Sequence, residues 1–293
     1  MTSPDPAPTR SDDLSWCHDA VRQGDRDRFL CSVFAPPERR AGLWALYALN
    51  LELAHIRAAV TDPLPGQIRL QWWREAISEA YAGTPRAHPV VRLVAATLPG
   101  RVPESGLQAL IDARAADLEA GGPATLAALE AYLAATAGRL QVLAAQVLTA
   151  DTTGSDASAT HRAAEASGTA WGLVGMIRAV AFQAQTSQLI LPRAEMKAAG
   201  VREGDLLQRT MTAELGQLVA RMAERAEEHL TAARALAPAV DRVALPALLP
   251  CVLAEGYLRR LQRSGWNPFV RGLERPGAGM LVRLWWQARR GCY

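Results

Sequence analysis

At 293 residues and a formal charge of +3, the chain is too weakly basic to be read as a nucleic-acid binder. Its 49% hydrophobic and 21% charged content excludes a disordered chain, and no run of roughly 18 apolar residues offers a membrane-spanning helix. Four scattered cysteines (Cys17, Cys31, Cys251 and Cys292), without a C-x-x-C pair, point away from a disulfide framework or zinc site and toward a reducing compartment, with the cytoplasm as default. Alanine, leucine and arginine dominate, and stretches rich in β-branched residues are few, so the chain reads as all-α.

Residues 1–13 (MTSPDPAPTRSDD) read as a disordered lead without the basic start and apolar centre of a secretory signal. Helices are expected at Leu14–Gln23 and around Asp25–Phe34, the second stopped by Pro36 and Pro37. From Glu38 onward, Trp44, Tyr47, Leu51, Ala54 and Ala58 recur three to four residues apart and fall on one helical face. The TDPLPG stretch at 61–66 is expected to end that helix, and Gln67–Ala82 to form the next. Helices follow at His88–Leu98, Pro103–Ala120 and Pro123–Ala150, the last broken near Gly138. The clearest loop is 151–160. Beyond it lie a long helix to about Ala184, the LILP segment, and helices at Thr212–Leu236, Leu245–Ser264 and Gly279–Arg290. Helical patterning on both sides of the loop argues for one domain, 14–293.

Several segments, in order, resemble the squalene/phytoene synthase family of head-to-head prenyl transferases. The first active-site helix of that family carries Tyr-Ala-Phe-Cys-Arg-x-x-Asp-Asp-x-x-Asp; here the stretch reads Tyr47-Ala48-Leu49-Asn50-Leu51-Glu52-Leu53-Ala54-His55-Ile56-Arg57-Ala58. Trp73-Arg74-Glu75, Tyr81-Ala82-Gly83, His88-Pro89-Val90, Asp117-Leu118, Tyr132 and Ala137-Gly138 continue the likeness. Counted back from Leu191-Pro192, the second active-site helix gives Gly172, Gly175, Arg178, Ala179 and Gln183, and Tyr257-Leu258-Arg259 fits a late helix. The resemblance implies a single orthogonal helical bundle of the isoprenoid (trans-prenyl transferase) synthase type.

The chemistry of that family needs carboxylates at i and i+4 on two facing helices, to hold magnesium against a substrate diphosphate while its C–O bond breaks. Here the corresponding positions are Ala54 and Ala58 on one helix and Ala179 and Gln183 on the other. Alanine has no donor atom, an amide is a weak uncharged ligand, and Glu52 points about 160° from Ala54 at ~100° per residue. Losing such charge stabilisation costs several kcal/mol of barrier, roughly a thousandfold in rate. Neither magnesium nor magnesium-dependent transfer is therefore expected.

Five residues are candidates for the pocket: Tyr47, His55, Asp117, Trp171 and Arg178. His55 stands where the family has an acid and could act as a base or a metal ligand, although a lone helical histidine is usually packed or half exposed. Asp117 stands near a position where the family keeps an acid, and Arg178, in an otherwise apolar segment, could meet an anionic headgroup. Tyr47 and Trp171 fall on the expected pocket faces, where aromatic residues at helical spacing are commonly core. Ala54, Ala58, Gly172 and Gly175 would leave room for an isoprenoid or lipid tail.

Within the family, Leu51-Glu52-Leu53-Ala54 and Gly66-Gln67-Ile68-Arg69-Leu70-Gln71-Trp72-Trp73-Arg74 resemble the branch holding the mitochondrial respiratory complex I assembly factor and its bacterial relatives. That likeness implies a non-catalytic member with complex I subunits or assembly proteins as partners. The alternatives are an isoprenoid enzyme with a remodelled site and an isoprenoid- or lipid-binding protein. Trp285 and Trp286, followed by Arg289 and Arg290, suit contact with a membrane headgroup layer.

Overall fold

The computed structural model describes residues 10–60, 62–119, 121–151, 157–186 and 191–293, with side chains for all of these except 10 and 183–186. Among them are fifteen α-helices and no strand, as the composition led us to expect. In chain order they are α1 (Arg10–Gly24), α2 (Arg26–Ser32), α3 (Pro37–His55), α4 (Pro63–Tyr81) and α5 (Pro89–Thr97). Next come α6 (Glu104–Ala113), α7 (Leu126–Leu133), α8 (Arg139–Thr149), α9 (Ala157–Thr186) and α10 (Arg193–Ala199). The remainder are α11 (Glu203–Leu207), α12 (Ala213–Ala235), α13 (Leu245–Leu248), α14 (Pro250–Arg263) and α15 (Ala278–Arg290).

Several boundaries differ from the sequence expectation for identifiable reasons. Helix α1 starts at Arg10, inside the stretch read as a lead, because Asp13 is buried and accepts hydrogen bonds at 2.7 and 2.5 Å from Arg92 at the start of α5. The PLPG stretch begins α4 rather than forming a linker. Its prolines sit in the first turn, where a missing N–H has no helical partner to lose, and Gly66 packs flush on the Leu118 side chain. The segment after α6 tightens into a 3₁₀ turn, Arg114–Leu118, which aims Arg114 and Asp117 inward. The break expected near Gly138 is a single π-turn, Ala134–Gly138. Helix α9 begins at Ala157, so the expected loop is shorter than 151–160; residues 152–156 and the Leu189–Ile190 half of LILP lie outside the described residues.

Helix α9 is the axis of the bundle and packs on α12, α8 and α14. Its glycines set how closely it can approach its neighbours. A Cβ on Gly168 would run into the Ala137 carbonyl oxygen and come within 2.7 Å of the Gly138 Cα, so the crossing with the π-turn depends on both residues being bare. Two buried clusters flank this crossing. One joins α1, α3, α4, α5, α6 and α8 around Leu46, Ile77, Val94 and Leu110; the other joins α9, α12 and α14 around Val174, Met222 and Tyr257. Each fully buried large aliphatic side chain contributes about 2 kcal/mol of hydrophobic stabilisation, so these clusters outweigh the surface ion pairs in holding the bundle.

Candidate functional site

A cleft of about 490 Å³ opens between the α1–α2 junction, the middle of α9 and the segment before α15. Its wall includes Arg22, Arg26, Arg28, Arg178 and Arg275 against Asp25, Asp27 and Glu274, with Trp171 as the aromatic surface. Five cations against three carboxylates give it a positive balance.

The short helix α2 builds the floor. Asp25 caps it by accepting from the Arg28 amide at 3.1 Å, and its second oxygen takes the Arg28 guanidinium at 2.7 Å. Arg28 is almost entirely buried. Its Nε donates to Gln141 at 3.0 Å, and Gln141 in turn donates to the Ala247 carbonyl, so the charged group is hydrogen-bonded across three helices. The same guanidinium lies 5.9 Å from the Tyr47 ring and 5.8 Å from the Trp171 ring.

Asp27, the next acid of α2, is also buried, its side chain 7% exposed. Its Oδ2 accepts from Arg178 at 3.0 Å and from the Tyr257 hydroxyl at 3.1 Å, while Oδ1 has no partner among the described residues. Burial pushes its carboxyl above the usual range, with Arg178 and Tyr257 opposing the shift and the nearby Asp25 adding to it. Arg178 also donates to the Leu273 and Glu274 carbonyls at 2.7 and 3.2 Å and lies 3.8 Å from the centre of the Tyr257 ring. Its donors are largely spent inside the protein, tying α9 to α2 and to the 273–274 segment.

The five pocket candidates therefore divide. Trp171 and Arg178 line the cleft, and Tyr47 lies buried in the core beneath Arg28. His55 is exposed at the last position of α3 and does not line the cleft. Asp117 belongs to a separate polar knot. Arg114 donates to Asn50 at 2.8 Å, to Tyr132 at 3.1 Å and to Asp117 at 3.3 Å, and Tyr132 closes the ring by donating to Asp117. That knot joins α3, the 3₁₀ turn and α7, and it leaves the acid paired within the protein.

Gly172 does not leave room for a ligand. A Cβ there would sit 2.9 Å from Leu133 and 3.1 Å from Ala137, so its bareness serves helix packing. Gly175, one turn further on, has open space before it and lines the cleft.

The positions that would hold magnesium do not fit the ion. Helix α3 ends at His55, so Ala58 is not one turn up the same helix; it lies exposed in a 3₁₀ turn, Arg57–Ala59. Ala54 and Ala179 are half buried and carry no donor, and the side chain of Gln183 is outside those described. Glu52 faces the other way, and its charge acts on Cys17 and His88. Among the described residues no three His, Cys, Asp or Glu side chains converge as a metal would need.

Sequence reasoning passed over Asp27, Arg28, Gln141 and the Tyr257 hydroxyl. The available signal was Asp25-Arg26-Asp27-Arg28, four charges in a helix that continues into Phe29-Leu30-Cys31 and so has to bury some of them.

A sequence model of the squalene/phytoene synthase family matches residues 21–282. The mouse protein "NADH dehydrogenase (ubiquinone) complex I, assembly factor 6" is 29% identical over 279 residues, spanning 95% of this chain and 82% of its own. The Drosophila melanogaster homologue of that factor is 23% identical over 281 residues, 93% of this chain and 82% of its own. Among solved structures, a dehydrosqualene synthase superposes with a TM-score of 0.81 at 17% identity, covering 96% of each chain. The squalene synthase HpnC from Alicyclobacillus acidocaldarius superposes at 0.74 and 21% identity, over 89% of this chain and 97% of its own.

Proposed function

We propose that this chain, which belongs to the squalene/phytoene synthase family, is a non-catalytic member that assists assembly of the membrane-bound NADH dehydrogenase. The observation that carries the first half is the ending of α3 at His55, which leaves alanines where two facing helices would need carboxylates. Without a bound divalent cation, nothing on that side neutralises a departing diphosphate. The second half is supported by the relatives named as complex I assembly factors, whose likeness runs along nearly the whole chain. On this reading the protein requires no magnesium, acts from the cytoplasmic side at the inner membrane surface, and has subunits or assembly proteins of the complex as partners. No helix among the described residues is long and apolar enough to cross a membrane, so contact with the bilayer would be peripheral.

Deleting the gene and resolving respiratory complexes on native gels tests the role. The expected result is loss of assembled NADH dehydrogenase, restored by the wild-type gene. Full assembly and activity in the deletion strain would reject it.

The arginine-lined cleft favours a second reading, in which the protein holds an anionic isoprenoid or lipid, as a carrier or as a remodelled isoprenoid enzyme. Calorimetric titration with farnesyl diphosphate, with and without magnesium, separates the two. Metal-independent binding lost in Trp171→Ala would favour this second reading.

A further inference from the structure

The charge of the chain is unevenly distributed. Residues 242–293 hold nine arginines against only Glu255 and Glu274, whereas the preceding 241 residues carry four more acids than bases. Both of those glutamates are engaged. Glu255 accepts from Arg234 at 2.8 Å, from Arg283 at 2.7 Å and from Arg259. Glu274 accepts from the Gly272 amide at 3.0 Å, and its carbonyl takes Arg178.

Helix α15 lies within this basic region and is bound to the bundle by one side only. Leu284 is its buried residue, and Arg283 reaches back to Glu255 on α14. The segment that follows is tied down as well: Tyr293 donates to the Ala233 carbonyl at 3.0 Å, and Arg234 donates to the Tyr293 carbonyl at 3.1 Å. The outer face is therefore held in a fixed position. It presents Val282, Trp285, Trp286, Arg289 and Arg290, positions that share one side of a helix, with Val282 66%, Trp285 47% and Trp286 52% exposed. The Arg289 guanidinium stands 5.0 Å from the Trp285 ring, and Arg290 stands 5.1 Å from Trp286. From Arg275 to Tyr293 there is no acidic residue.

We infer that this face of α15 docks flat on an anionic lipid bilayer, the two indoles entering the headgroup layer and Arg289 and Arg290 meeting lipid phosphates. Exposed apolar and indole surface costs free energy in water, and at a bilayer interface it is partly withdrawn from water while the amphipathic ring is retained in its preferred zone. Arginine stacked on the indole can keep its charge among phosphates as the ring sinks in. An acidic protein surface would satisfy the arginines, but it gives less reason for Val282 and two tryptophans to stand exposed beside them. At about 20 Å, the helix is the right length to lie in the interface.

The inference rests on the assembly reading only for the identity of the membrane, and it can fail separately. Purified full-length protein is sedimented with vesicles of phosphatidylcholine alone or mixed with phosphatidylglycerol, with tryptophan emission recorded. The expected result is binding to the mixed vesicles with a blue shift, weakened by salt, and about tenfold weaker in Arg289→Glu/Arg290→Glu. Trp285→Ser/Trp286→Ser should lose the blue shift and bind comparably weakly while keeping the wild-type circular dichroism spectrum. No binding to mixed vesicles, equal binding to both vesicle types, or unchanged binding by the tryptophan double variant would overturn the proposal. So would self-association that the tryptophan variant abolishes without any vesicle binding, which would assign the face to a second copy. A vesicle failure leaves the gene-deletion result standing, and the reverse also holds.

Discussion

The two sides of the expected pocket are built in opposite ways. Around α2 and the middle of α9, charged groups are abundant and turned inward: Arg178 holds Asp27, Arg28 holds Asp25 and Gln141, and Tyr257 closes the set. Near the end of α3 and at Ala179 on α9, where two helices should present carboxylates, Ala54, Ala58 and Ala179 have only methyl groups, and α3 ends before Ala58 is reached. The cationic side is paired within the protein, and the other side carries no carboxylate at Ala54, Ala58 or Ala179. Shape and chemistry rest on different residues in such a bundle, because packing and ion pairing fix the first while a few donor atoms fix the second.

The largest effect should come from breaking the architectural side. Arg178→Gln leaves a buried Asp27 without its countercharge and should cost about 3–5 kcal/mol, read as a lower urea midpoint. Adding Asp27→Asn should recover part of the loss, because the stranded charge is then removed. A double variant no more stable than Arg178→Gln would show that the arginine acts through its carbonyl contacts instead.

The two glycines of α9 sharpen the contrast within a single helix. Gly168→Ala drives a methyl into the π-turn backbone and should destabilise by about 1–3 kcal/mol. Gly175→Ala, which meets nothing within 4 Å, should instead stabilise by about 0.5–1 kcal/mol through helix propensity alone. Thermal melts of both variants suffice. Equal destabilisation would mean that Gly175 is packed as tightly as Gly168.

A smaller, pH-dependent effect tests where Glu52, the acid near the end of α3, points. His88 caps α5 through Nδ1 and lies 5.2 Å from the Trp73 ring. Burial pulls its pKa below the usual range; Glu52 and Asp13 pull it up, and Arg92 pulls it further down. The folded state therefore binds fewer protons than the unfolded state below the ordinary histidine range. The stability His88 contributes is intact above about pH 6.5 and falls as pH drops toward its lowered value, by at most about 1.4 kcal/mol per pH unit. Glu52→Gln should lower the His88 pKa further, measured from its ring proton shifts. No movement would place the Glu52 carboxylate away from His88.

The smallest effect should come from putting acids back. Ala58→Glu, at an exposed position, should change stability by less than about 0.5 kcal/mol. The variant carrying Asp at 54, 58, 179 and 183 together should still release no diphosphate from farnesyl diphosphate, since position 58 stands off the helix. Activity gained in that variant would show that only the side chains had been lost.

The helical fold was legible because periodic apolar positions, prolines and glycines mark helices locally, as at Pro36–Pro37 and Gly138. The start of α4 was misread because a proline-rich stretch looks like a linker until Gly66 is seen to seat Leu118. The cleft was half legible. Trp171 and Arg178 stood out in an apolar segment, but the partners of Arg178 lie 151 and 95 residues away, and Tyr257 reaches Asp27 across 230 residues. Such pairings are made by the packing of the bundle, and nothing in the local pattern announces them. Asp117 looked free in the sequence for the same reason, since Tyr132 and Arg114 claim it only once the 3₁₀ turn forms.

The central claim, a family bundle without its metal chemistry, is tested most directly by assaying diphosphate release from farnesyl and geranylgeranyl diphosphate by the wild-type protein in the presence of magnesium. The account predicts no release above the protein-free rate at any magnesium concentration. Release proportional to protein and dependent on magnesium would contradict it, and would require a metal site outside Ala54, Ala58, Ala179 and Gln183.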